Sequence, residues 1–146
     1  MSKSTLITAA VLLACAGVAQ AQDCSCAPGS KRTTANTQLV NLLTNRMVCA
    51  NVGDEKWQEH HNPNGQLWDY KLGPSDPRDP SSVVGSYSIA NNLVTYTYGG
   101  QPYTYAVCAV GTSSYTFCGQ RAVPGAKVGG SGLTSCAGVS NIVQLR

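Results

Sequence analysis

Leu93-Val94-Thr95-Tyr96-Thr97-Tyr98-Gly99-Gly100-Gln101-Pro102-Tyr103-Thr104-Tyr105-Ala106-Val107 is the stretch on which the reading of this chain turns. Two runs alternate large apolar or aromatic residues with threonines, and a glycine pair separates them, which is the pattern of a β-hairpin. Setting Tyr98 opposite Tyr103 across a 99–102 loop places Tyr96 against Tyr105 and Val94 against Val107, with all six on one face. Such aromatic and β-branched cross-strand pairs stabilise a sheet by about 0.2–1 kcal/mol each. A face of four tyrosines and two valines is too apolar to be left in water, so it is expected to line the inside of the sheet.

The same period of two continues outward from this hairpin. Residues 55–61 read as a strand, Asn62-Pro63-Asn64-Gly65 as a turn, and 66–71 as the strand that pairs back. Further strands are expected at 83–90, 93–98, 102–110 and 115–119. Between them, Gly73, Pro74, Pro77 and Pro80 make 72–82 a loop, because proline cannot donate to a ladder. Only 34–47 carries helical spacing, through Leu39, Leu42, Leu43 and Met47, with Thr33 or Thr34 as N-cap. Residues 124–138 are Gly- and Ser-rich and read as a loose tail pinned by Cys136, with a closing strand expected at 139–145. The fold class that follows is mainly β: an antiparallel meander curled into a small barrel or half-barrel, with one N-terminal helix and disulfides. Closure would also remove the exposed edges of a flat meander.

The address of the chain is written in its first residues. Lys3, the apolar run 6–14 and Ala19-Gln20-Ala21 have the form of a cleaved signal peptide over 1–21. Leu12-Leu13-Ala14-Cys15 offers a competing lipobox reading with a lipidated Cys15. Cleavage after Ala21 leaves 125 of the 146 residues, one small domain, and lowers the formal net charge from +3 to +2 with the loss of Lys3. The domain plan is then an arm tethered by disulfides at 22–32, a helix and β-meander at 33–123, and the C-terminal segment 124–146. Cys24, Cys26, Cys49, Cys108, Cys118 and Cys136 remain, an even number that in an exported domain predicts three bridges. Cys24 and Cys26 are too close to join each other. A short turn at 112–114 would bring Cys108 opposite Cys118, whereas sheet closure would bring Cys49 to Cys118, and spacing does not choose between them. The expected localisation is secreted or periplasmic.

Few residues suggest chemistry. Scattered lysines and arginines do not form the stripe a nucleic-acid face needs, and no later apolar run is long enough to span a membrane as a helix. Glu59-His60-His61, with Asp69 across the hairpin, is the one acid–base cluster; alternation points the two histidines to opposite faces, so they do not share a metal. Its plain reading is an exposed polar hairpin end. There is no G-x-S-x-G elbow, and neither a metal nor a cofactor motif is present. Asp76-Pro77-Arg78-Asp79-Pro80 lacks the spaced oxygen ligands of a calcium loop. The aromatic residues carry more weight, since tyrosine and tryptophan join an apolar ring to a hydrogen-bonding tip. Trp57, His61, Trp68 and Tyr70, around the first hairpin, are the candidate binding residues, while the tyrosine row is assigned first to the core.

Trp57-Gln58-Glu59-x-His61, Asp69-Tyr70-Lys71-x-Gly73, Asp76-Pro77-x-Asp79-Pro80, Val84-Gly85-x-Tyr87 and Tyr115-x-Phe117-Cys118 together resemble an uncharacterised family of small exported proteobacterial proteins. The resemblance implies one exported domain and carries no activity. Helix, turn and Gly85-x-Tyr87 opening a strand also resemble a lipocalin-like layout, with Tyr87 where a tryptophan is expected. The inhibitory S-G-x-x-Y loop of periplasmic lysozyme inhibitors is absent, because Ser131-Gly132-Leu133-Thr134-Ser135 ends in serine.

The residues thus favour a non-enzymatic binding or envelope-associated module, with a small molecule, a peptide or an envelope protein as partner. The competing class is a small periplasmic hydrolase or a hydrolase inhibitor. A cleft lined by His61, Glu59 and Asp69 would mark the enzyme; an apolar barrel mouth lined by tyrosines would mark the binding module.

Overall fold

The computed structural model describes residues 26–52, 55–69, 82–134 and 136. The leader, Cys15, Cys24, Tyr70, the 76–80 motif and the strand expected at 139–145 lie outside those residues. Chain order is β1 Lys31–Arg32, α1 Asn36–Leu43, β2 Met47–Val52, β3 Glu55–His61, β4 Gln66–Asp69, β5 Ser82–Ala90, β6 Leu93–Tyr98, β7 Gln101–Ala109, β8 Ser114–Cys118 and β9 Val123–Gly129. Strands β2 to β9 pair antiparallel in sequence order, and β9 returns to β2 to close an eight-stranded up-and-down barrel. The short β1 lies beside the end of β7, Lys31 against Ala109 and Arg32 against Cys108.

Local chemistry explains most of these boundaries. Gly99 and Gly100 both adopt positive φ (56° and 83°), so the β6–β7 turn has two residues and Tyr98 pairs with Gln101. The expected four-residue loop is therefore corrected. Tyr96 faces Tyr103 and Val94 faces Tyr105, a slide of two positions that keeps every inward residue inward. Val94, Tyr96, Tyr105 and Val107 are buried in the core, as expected of that face, but Tyr103 is 38 % exposed.

Helix α1 is shorter than its hydrophobic spacing suggested. It ends because Asn45 takes a left-handed conformation (φ 59°) and its N–H bonds the carbonyl of His61, which sends Met47 into β2. Ala35, not Thr33 or Thr34, occupies the N-cap. Eight residues are too few for a stable isolated helix, so tertiary contact has to hold it. Leu39 and Leu43 are fully buried in the barrel core, and the Asn36 side-chain carbonyl accepts a 2.7 Å bond from the Asn92 N–H in the β5–β6 turn. The helix thereby plugs one end of the barrel. Tyr87 belongs to the same closed end, its hydroxyl donating to the Asn62 carbonyl at 3.0 Å and its ring 4.8 Å from that of His61.

Two expectations about the C-terminal half are overturned. Residues 123–129 are a barrel strand, with Val123 and Ala126 fully buried and Val128 packed against the core, where the Gly- and Ser-rich composition of 124–138 predicts a loose tail. Among the described residues Cys26 is bridged to Cys108 and Cys49 to Cys136, so Cys118 joins neither Cys108 nor Cys49; it is itself disulfide-bonded. Cys108 faces Thr116 in the β7–β8 register, because β8 begins one residue earlier than the expected turn allows. Bridges spanning 82 and 87 residues restrict the unfolded chain by about 4–5 kcal/mol each in the loop-entropy picture.

Candidate binding cleft

The end opposite α1 is a mouth, ringed by the β6–β7 turn and the β8–β9 connection. On β3 the inward residues are Trp57, Glu59 and His61, in order from mouth to closed end, and on β6 they are Tyr98, Tyr96 and Val94. Trp57, Tyr98, Tyr103, Tyr105, Gln120 and Arg121 line a cleft of about 320 Å³ at this mouth. That volume lies within the range of small-molecule sites.

Two glycines seat the cleft tyrosines. A Cβ on Gly119 would sit 2.8 Å from Cδ1 of Tyr105, and one on Gly85 would sit 2.9 Å from Cδ1 of Tyr98 and collide with the Thr97 carbonyl. Both rings therefore pack closely against bare backbone on a neighbouring strand. Trp57 meets Tyr105 edge-on with centroids 5.9 Å apart, and Tyr98 meets Tyr103 at 6.1 Å. The four rings are thus set at angles to one another around one space.

Below the cleft the polar groups are paired with tyrosines. The Tyr98 hydroxyl donates a 2.6 Å bond to Glu59 Oε2, and His61 Nε2 shares a 2.9 Å bond with the Tyr96 hydroxyl. Burial pushes the Glu59 carboxyl up from 4.5 to about 7; the Tyr98 hydrogen bond opposes this and the nearby Asp69 charge adds to it. Asp69 is the cross-strand partner of Glu59, as expected across the 62–65 turn. Burial pushes His61 the other way, from 6.5 down to about 3, against weaker opposition from the Glu59 and Arg46 backbone. Tyr96 and Tyr98 are both raised, first by burial and then by the Glu59 charge. At neutral pH His61 is an uncharged imidazole.

The candidate residues are thus separated by the fold. Trp57 lines the cleft. His61 is fully buried beneath Tyr96 and does not border it. Trp68 points outward, in register with His60. The polar hairpin end expected to be exposed is instead buried: Glu59 and His61 inside, and His60 on the outer side, 3.1 Å from the Asn45 side-chain carbonyl. The two histidines do face opposite ways, as alternation requires. Tyr98, Tyr103, Tyr105, Gln120 and Arg121 were not singled out as site residues; the tyrosine row pointed to the first three but not to their place along the barrel axis. Among the described residues no group of three or more His, Cys, Asp or Glu side chains could hold a metal. No described helix is long and apolar enough to cross a membrane.

Fold and cleft together define a disulfide-bonded, eight-stranded meander barrel, plugged at one end and, among the described residues, carrying an aromatic cleft at the other. No family model, curated protein or solved structure matches the chain.

Proposed function

We propose that this protein is an exported, non-enzymatic binding module that takes a small molecule into the mouth of its barrel. The observation that carries the reading is the lining of the cleft: four aromatic rings, not the His61, Glu59 and Asp69 set that would mark a hydrolase. Barrels of eight strands are wide enough to hold one small ligand, and concave, mostly apolar walls with a few polar groups are the common form of such sites. The meander closed by β9 and the turn-bonded Tyr87 also agree with the lipocalin-like layout of the sequence. Leader and disulfides support export, since such bridges persist in oxidising compartments. The hydrolase reading has less support, because the one imidazole inside the barrel is buried and neutral.

Binding is tested with N-phenyl-1-naphthylamine, a neutral aromatic probe that brightens on leaving water, added to the mature oxidised protein. Saturable brightening that Tyr103→Ala weakens about tenfold or more, with unchanged melting, is the expected result. A probe that binds the variant as well as the native protein, or neither of them, counts against the cleft.

A further inference from the structure

We propose that the cleft is a cage for a small organic cation, an alkyl- or quaternary ammonium group, held by the faces of Trp57, Tyr98, Tyr103 and Tyr105 with the Glu59 carboxylate behind Tyr98 as its counter-charge. This deepens the binding reading and rests on it.

Three observations meet here. The first is the wall. Trp57 from β3, Tyr98 from β6, and Tyr103 and Tyr105 from β7 all border the one space. A cation within about 6 Å of such a ring is attracted by the negative π face, more strongly as the site is desolvated.

The second is the sign of the charge below. Facing Glu59 are Tyr98 and Tyr96 from β6, Asp69 from β4 and, on its own strand, neutral His61. Its charge therefore meets one hydroxyl donor and another acid, and no basic side chain below the cleft among the described residues. Arg121 also lines the cleft, where it is exposed and engaged with a partner of its own, and Asp69 is engaged as well. A cation entering through the cleft supplies a positive charge that Glu59 does not meet among the described residues, which a neutral ligand cannot.

The third is the link between wall and acid. Tyr98 lines the cleft with its ring while its hydroxyl donates at 2.6 Å to Glu59. When Glu59 ionises, that bond draws the phenol proton toward the carboxylate and enriches the ring in electrons, which strengthens the face turned to the ligand. Cation binding and Glu59 ionisation are therefore thermodynamically coupled, each favouring the other.

The experiment compares choline with 3,3-dimethylbutan-1-ol, its uncharged isostere, on the mature oxidised protein carrying Trp68→Phe so that Trp57 alone reports. Choline should quench Trp57 and bind about tenfold or more tightly than the alcohol, and its affinity should rise about tenfold from pH 6 to pH 8. That factor is the change in the ionised fraction of a group titrating near 7, from about one tenth to about nine tenths. Glu59→Gln should reduce the preference to what the rings alone supply and remove the pH dependence. Calorimetry in two buffers of different ionisation enthalpy gives the same test without a variant, since choline binding near pH 7 should release protons. Equal, pH-independent binding of choline and the alcohol overturns the cation assignment and leaves the cleft standing. If neither ligand nor the naphthylamine probe binds, the binding reading itself falls.

Discussion

The two ends of this barrel are built from the same kinds of residue and hold them in opposite ways. At the closed end Leu39 and Leu43 of α1 seal the core, Tyr87 commits its hydroxyl to the Asn62 carbonyl, and Tyr96 commits its own to His61. At the mouth Tyr98 and Tyr103 keep part of their rings in solvent, Trp57 borders the cleft, and Tyr105 joins it from the edge of the core. Tyrosine is scaffold in one place and wall in the other; what decides is depth along the barrel axis relative to the helix plug. The contrast also runs along β3. Glu59 and His61 share one face two residues apart, and burial moves their pKa values in opposite directions because it penalises charge of either sign.

The largest expected effect separates scaffold from wall. Tyr96 is 1 % exposed and touches Trp57, His61, Tyr98, Tyr105 and Phe117, so Tyr96→Ala should destabilise by about 3–5 kcal/mol, as truncated core aromatics do. Tyr103→Ala, at the exposed rim, should change stability by no more than about 0.5 kcal/mol. Urea denaturation of the two variants measures both. Equal losses would mean that the mouth is as much core as the closed end, and the comparison would collapse.

How much of this was legible in the sequence follows from how local each feature is. Alternation placed β3 and β6 at their observed bounds and put the tyrosine row inside, because side-chain direction in a strand is set residue by residue. The β6–β7 register slipped by two because two glycines at positive φ need no further loop residues, and alternation cannot see an even slip. β9 was missed for a non-local reason. Pro124 and Gly125 (φ 68°) read as loop, and the segment becomes a strand because β2 and β8 each present an edge to it. Bridge partners depend on that same closure, so spacing alone favoured the wrong mates for Cys118. The division of the row into core and cleft was illegible for a related reason: alternation reports which face a residue takes, not how far it lies from the helix.

The Glu59 and His61 contrast yields a second test, of intermediate size. Glu59 is raised in the folded state, so between pH 4.5 and about 7 the folded chain holds a proton that the unfolded chain has lost, and stability falls as pH rises through that window. His61 is lowered, so between about 3 and 6.5 the unfolded chain holds the extra proton and stability falls as pH drops. The two slopes cancel where they overlap, from about pH 4.5 to 6.5. Glu59→Gln removes only the first. Its stability relative to the native protein should therefore improve by about 3 kcal/mol between pH 4 and pH 8, at 1.36 kcal/mol per pKa unit. A difference that stays constant across that range would show Glu59 to be solvated, and would place it with the wet mouth instead of the dry core.

The smallest effect tests the bond that joins the two regions. Tyr98→Phe keeps the ring over Gly85 and removes only the hydroxyl that reaches Glu59. Deleting one hydrogen bond to a carboxyl costs about 1 kcal/mol when the acid is neutral and more when it is charged, so the loss should be larger at pH 8 than at pH 5. Because this bond stabilises the ionised form, the Glu59 pKa should move above 7 in the variant, and carbon-13 NMR titration of its carboxyl carbon reads that shift directly. The direction is the informative part. If Tyr98 merely filled space, removing its hydroxyl would let water approach Glu59 and the pKa would fall toward 4.5. A rise means that ring and acid act as one unit, so that whatever binds against Tyr98 at the mouth is felt by a carboxylate in the interior.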